Sequence, residues 1–403
     1  GMGLSRYQEL SGATERAYSD GLERMLRPRL ILHMENAIPQ LIADEETAEV
    51  YRALKVYLLL GGEGQGDAEA NDAAVVNYFE TLWRAQFNST GQYDEREQLK
   101  AHLTAMLALD GDRRPEIGID PEILRKARES IVNLPLADQA YASIKERVAT
   151  SGIADFNLVE RLQGNVQQVL DTTDGAPLNT VGVPALYTFE GYWGYFLEEL
   201  TSARSRLRED QWVLGEAATR VGYDTQLAGL EGELHRMYRL EFTAAWKEML
   251  ARIGLKSMSE DAPQYAALAA ASSPVGSPLL NLVQAIESET RLVRLYEQLD
   301  NLDPAAVAAS GGDLSASMGD AVFSRIYSQS GVFQRVAMDS FRNSSKVQAQ
   351  AGAAGQAGAE DLQRRQVERI SNDFAQWHSL LKGEPGQRPI DIVLASLGDL
   401  REN

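Results

Sequence analysis

Four histidines, a short glycine-rich loop and a scatter of carboxylates are the residues of this chain whose types could do chemistry. A zinc centre needs several His, Cys or carboxylate ligands converging on one point, and helical sites announce themselves by pairs such as H-E-x-x-H. His33, His102, His235 and His378 never fall within five positions of one another, and cysteine is absent, so no metal site, thiolate nucleophile or disulfide is predicted. The loop GGEGQGDAE at 61–69 has the glycines of a phosphate cradle. It lacks the Lys-Ser/Thr that must follow them and carries Glu63, Asp67 and Glu69 where phosphate oxygens would sit, so no nucleotide or other cofactor is expected there.

A helical chain with abundant carboxylates also has to be tested as a glycan-cleaving enzyme of the lytic transglycosylase kind, which carries a Glu-Ser pair early in a helix followed by a Gly-rich segment. Glu287-Ser288 and the acids Glu198-Glu199 are the candidates, and neither is followed by such a segment. A general acid also needs a desolvated setting, and the polar run ESET offers none. The residues that stand out instead are aromatic. Tyr187, Phe189, Tyr192, Trp193, Tyr195 and Phe196 crowd into VGVPALYTFEGYWGYF at 181–196, and Trp212 follows in DQWVLGE, in a chain that is 7% aromatic. With no acid-base pair among them, these seven form a candidate structural or docking cluster. Tyr192, Tyr195 and Phe196, at steps of three and four, would share one helix face. Burial between helices is the favoured reading over an exposed patch. Tyr187, Tyr192, Trp193 and Trp212 are expected to fix the angle of adjacent helices.

The elements that must position these side chains read as helices. Val50, Leu54, Tyr57 and Leu58 recur at three- and four-residue steps, as do Phe242, Trp246, Met249, Leu250 and Ile253, then Leu279, Leu282, Val283, Ile286 and Val293, and finally Leu362, Val367, Ile370, Phe374 and Leu381. Asp120-Pro121 predicts a helix running to about Val132, and Ser277-Pro278 one running through Leu292 and on to Leu299. The one strand candidate, VGVPALYTF, contains Pro184, which argues against a central strand. Loops are expected at 61–66, 111–118, 174–184 and 310–319. The low-complexity run AQAGAAGQAGA at 349–359 is expected to be a frayed helix or mobile linker. The fold class is therefore all-α, as elongated multi-domain helical bundles with little or no β-structure. Length suggests three domains: 1–150, 151–260 with the aromatic cluster, and 261–403 with the Ala/Gly segment.

Charge narrows the partners. With 58 acidic against 39 basic residues the formal charge is -19, and no basic patch is visible in the sequence to override it, which opposes binding to nucleic acid or anionic lipid. No apolar run approaches the 18 or more residues of a membrane span, so direct membrane insertion is not expected. The start GMGLSRYQEL has no apolar segment of a signal peptide, and Gly1 before Met2 reads as a tag-cleavage scar.

The aromatic stretch with DQWVLGE also resembles the signature region of the IcmF/TssM family, the inner-membrane scaffold subunit of bacterial type VI secretion systems. Further segments follow in that family's order: PRLILHMENAIPQL with YRALKVYLLL, HLTAMLAL, ARESIVNLPLADQAYASIKE, LEFTAAWKEMLARI, SSPVGSPLLNLVQAIESET, and near the end NDFAQWHSLL and RPIDIVLASLGDL. The resemblance covers nearly the whole chain and implies a periplasmic, mostly helical part of an inner-membrane protein of a Gram-negative bacterium. It implies a scaffold of the trans-envelope complex that supports passage of the tail tube and effectors, and it supplies no catalytic residue. The implied partners are the other membrane-complex subunits. These include an inner-membrane partner, copies of the full-length protein, and an outer-membrane lipoprotein contacted through a β-rich domain beyond this chain. Two other readings are a periplasmic glycan-processing enzyme and a helical adaptor for effectors or cell-wall enzymes.

Overall fold

Several helix starts in this protein are set by acids and prolines. In the computed structural model, which describes residues 13–87, 92–109, 117–162, 164–216, 222–257, 262–344 and 357–402, Asp120 accepts from the backbone N–H groups of Glu122 and Ile123 and opens the helix Pro121–Ile131. Asp67 does the same for Ala68–Gln86, and Asp303, Asp313 and Asp320 for three short helices further on. Each side chain satisfies N–H groups that a helix leaves without partners. Strands among the described residues are confined to two antiparallel pairs, Phe156–Asn157 with Gly182–Val183 and Leu170–Thr172 with Ile253–Leu255. The molecule is all-α, as the periodicity predicts.

The chain divides into two compact units, Gly1–Gly152 with Ser202–Leu234, and Ile153–Thr201 with His235–Asn403. The sequence reading expects three domains split at 151 and 261. Two of the crossings, at 201/202 and 234/235, fall inside the helices Leu197–Glu209 and Tyr223–Ala251, where no change of composition marks them.

The first unit is built on a helical hairpin, Arg27–Ala43 and Thr47–Leu60, whose turn places Glu45 in the left-handed region at φ 59°. Met34, Ile38, Val50, Leu54 and Tyr57 are fully buried along the seam. At roughly 1.5–3 kcal/mol for each large side chain removed from water, such a stripe is what holds the pair. Tyr57 adds a polar pin: its hydroxyl donates to Glu35 at 2.9 Å and accepts from the Asp120 N–H at 2.8 Å, while burial pushes its pKa up to about 12. A widened turn over Leu22–Leu26 precedes the hairpin and buries Glu23 against Arg27, whose guanidinium donates at 2.7 and 3.0 Å to the carboxylate and at 3.2 Å to the Leu60 carbonyl.

In the second unit two details differ from the sequence reading. The helix starting at Pro278 stops at Thr290 and restarts at Arg294–Asp300, where the sequence predicts one run to Leu299. The break lets Leu292 bury completely and turn its carbonyl toward the indole of Trp193. Leu362, expected on the inner stripe of its helix, is 57% exposed, while Val367, Ile370 and Phe374 are buried. Leu280 and Val283 pack with Ile390 and Leu394 of the helix Pro389–Glu402 in a separate small cluster. Of the Ala/Gly run 349–359, residues 349–356 lie outside the described residues, and 357–359 open the helix Ala357–Asn372.

Candidate functional site

The aromatic segment folds as two tight turns in succession. Pro184 ends the short strand and its carbonyl accepts from the Tyr187 N–H, closing a single turn over Ala185–Tyr187. Thr188 then receives the Gly191 N–H on its hydroxyl at 2.9 Å, and the chain enters a π-helical turn, Gly191–Phe196, that runs on into Leu197–Glu209. Only glycine fits at 191. A Cβ there would lie 2.0 Å from the Ala185 carbonyl oxygen and 2.6 Å from that of Leu186.

The wider turn changes which residues share a face. Hydrogen bonds from i to i+5 add a residue to the ring, so adjacent Tyr192 and Trp193 and the later Phe196 all turn inward, while Tyr195 stays half-buried. The α-helical spacing assumed from the sequence would have grouped Tyr195 with Tyr192. Tyr192, Trp193 and Phe196 are completely buried, and Tyr187 and Phe189 nearly so. Phe196 stacks on Tyr238 at 4.0 Å between centroids, and Trp193 meets Tyr192, Tyr296 and Phe333 edge-on at 5.0–5.8 Å. Edge-to-face and offset contacts of this kind add to the area buried.

Five polar tips in the cluster have named partners. Tyr238 donates to the Leu186 carbonyl at 2.7 Å, Trp246 to that of Tyr187 at 2.8 Å and Trp193 to that of Leu292 at 3.3 Å; Tyr187 pairs with Glu241 and Tyr192 with Gln363. Burial raises the pKa values of Tyr192 and Tyr238 well above the usual phenol range, so both stay neutral. His235 sits against Phe196 and Tyr192 with Nδ1 unpartnered, and burial lowers its pKa to about 4. Trp212 lies half-buried in the first unit, where its carbonyl accepts from Arg128.

Beside the aromatic core is a cleft of about 270 Å³ lined by acids and arginines. Glu289, 8% exposed, accepts from Arg161 at 2.7 Å on one oxygen and from the Phe189 N–H at 2.9 Å on the other. Glu190 is held by Arg325 at 2.6 Å, Asp155 receives the Ala185 N–H at 2.8 Å, and the Arg294 guanidinium lies 4.4 Å from the Phe189 ring centre. All three carboxylates accept hydrogen bonds from arginines or backbone N–H groups. Of the sequence candidates, Glu287 binds Arg291 at 2.8 Å near the end of its helix, and the Ser288 hydroxyl donates to the Ala285 carbonyl. Glu198 receives the Ser330 hydroxyl and the Val332 N–H, so it caps the helix Gly331–Ser344.

The remaining histidines are dispersed. His378 meets the Thr290 hydroxyl at 2.9 Å and burial lowers its pKa to about 4, His102 meets the Tyr18 hydroxyl at 2.6 Å, and His33 lies beside Phe79. Among the described residues no group of three His, Asp or Glu could hold a metal ion. The glycine-rich loop ends in Asp67, whose carboxylate occupies the helix N-terminus that a phosphate would use. No described helix is long and apolar enough to cross a membrane.

What this core belongs to is decided by comparison. A family model described as IcmF-related, "Intracellular multiplication and human macrophage-killing", matches residues 1–291. The chain belongs to the IcmF-related family. That match takes in the whole aromatic segment, the π turn and Glu289. This IcmF-related chain is also similar to the "Type VI secretion system component TssM1" of Pseudomonas aeruginosa (strain PAO1), at 26% identity over 292 residues, which is 72% of this chain and 25% of that protein. It thus spans about a quarter of that relative's length. No solved structure matches it.

Sequence reasoning located five members of the IcmF-related core and missed the partners that complete it. Phe242 and Trp246 were legible as a stripe, but Tyr238, Tyr296 and Phe333 carry no local signal that they converge on Trp193 and Phe196. Glu289 is the most consequential omission. Its neighbours in ESET are all polar, and only the tertiary fold buries it.

Proposed function

We propose that this chain is a non-catalytic structural portion of a type VI secretion component, lying on the periplasmic side of an inner-membrane protein and acting by holding geometry. The observation that carries the reading is the IcmF-related match over residues 1–291, and the similarity to a type VI secretion component supports it. A rigid role is further supported by the interlocked aromatic core around Trp193 and by a neighbouring cleft whose acids serve as acceptors. In this reading the chain's partners are an inner-membrane subunit of the same complex, further copies of the protein, and an outer-membrane lipoprotein reached through another domain.

Two experiments test it. In the full-length protein, Gly191→Ala and Trp193→Ala are expected to abolish export of the tail-tube protein, whereas Glu287→Gln and Ser288→Ala leave export at wild-type level. The reverse pattern would reject a scaffold in favour of chemistry at the Glu-Ser pair. Alkaline phosphatase inserted at Val275, which is 84% exposed, is expected to be active in cells, and an inactive fusion with an active β-galactosidase counterpart would reject the periplasmic placement.

A further inference from the structure

We propose that the first unit carries a binding cleft for a neutral, polyhydroxylated ligand of the oligosaccharide class. The helices Thr47–Leu60, Ala68–Gln86 and Leu136–Thr150, with the 202–209 end of Leu197–Glu209, enclose a cleft of about 440 Å³. Small-ligand sites fall in the range of roughly 300–1,000 Å³. Short side chains line part of it, Ala70, Ala74, Ser143 and Ser202 among them, so the backbones of several helices are open to close approach.

The lining charges decide the class of ligand. Arg52 is paired with Glu146 at 2.6 Å and Lys55 with Asp210 at 2.7 Å. Arg147 and Arg206 also line it, as do Asp67 and Glu209, so basic and acidic groups are equal in number. An anion drawn to the arginines would meet as many carboxylates. An apolar molecule would strip water from charged groups and find one aliphatic side chain larger than alanine, Val56, in return. A hydroxyl both donates and accepts, so a sugar can bond to guanidinium and carboxylate alike without bringing net charge.

Tyr51 adds an independent observation. It lines this cleft and is 2% exposed, and its buried hydroxyl faces the side chain of Gln139, whose Oε1 accepts from no other group. A phenol that donates to Gln139 keeps an acceptor lone pair, which a ligand hydroxyl can meet. Tyr78 supplies a second aromatic side chain in the lining.

Calorimetric titration of the 403-residue chain tests the assignment, with maltotriose and chitotriose as probes and inorganic phosphate and spermidine as charged controls. Saturable binding of a trisaccharide is expected, weakened about tenfold in Tyr51→Phe, which removes one hydrogen bond and keeps the ring. It should be lost in Ala74→Leu, which fills the cleft without touching a charged pair, in protein whose circular dichroism and melting match the wild type. Absence of heat with both trisaccharides, tighter binding of phosphate or spermidine, or sugar binding unchanged in both variants would each overturn it.

Discussion

Trp193 lies at the centre of one group of interlocked rings in the second unit. It is completely buried and in ring contact with Phe189, Tyr192, Tyr296 and Phe333, so Trp193→Ala should cost on the order of 3–5 kcal/mol in urea unfolding. A melt that overlays the wild type would show that the rings do not brace one another. His235, in the same core, predicts a pH dependence. Its folded pKa of about 4 lies below the ordinary value of 6.5, so between those values the unfolded chain takes up the proton that the folded one refuses. The contribution is therefore complete above pH 6.5, falls as pH drops toward 4, and amounts to at most about 3 kcal/mol. His378, lowered mainly by burial, acts with the same sign over the same window. Asp320 and Asp373, whose pKa values are depressed, add losses only at lower pH. Urea midpoints measured from pH 7 to 4.5 should fall in the wild type and fall less in His235→Phe. Equal slopes would contradict the assignment.

At the scale of elements, two glycines of one π turn make opposite predictions. Gly191→Ala drives a methyl into two backbone carbonyls and should cost at least about 2 kcal/mol, because neither oxygen can move without the preceding turn. Gly194→Ala meets nothing closer than 3.8 Å and should stabilise by about 0.5–1 kcal/mol through helix propensity. Melts of the two variants shifted in the same direction would mean that the turn is not held as described. The other widened turn, before Arg27, depends on a buried ion pair. Arg27→Ala leaves the Glu23 carboxylate buried without its partner and should cost on the order of 3–5 kcal/mol, whereas Glu23→Leu with Arg27→Met together should cost far less. Additive losses in that double-mutant cycle would argue that the pair is not coupled.

For the whole molecule, a formal charge of -19 predicts no retardation of duplex DNA at about 0.15 M salt, since the net charge repels the phosphates. A salt-sensitive gel shift would require a phosphate-neutralising patch. Much of the architecture was already legible in the chain. Three- and four-residue apolar spacing made it all-α, and Asp120-Pro121 and Ser277-Pro278 marked helix starts, because capping and periodicity are local and read from adjacent residues. The two units, the break at Arg291–Val293, the exposure of Leu362, the assignment of Trp212 to the first unit and the burial of Glu289 depended on the tertiary structure. Each turns on contacts between residues far apart in the chain. No local pattern encodes that Gly191 must slide under two carbonyls, or that Tyr296 and Phe333 arrive from a hundred residues or more away to close over Trp193.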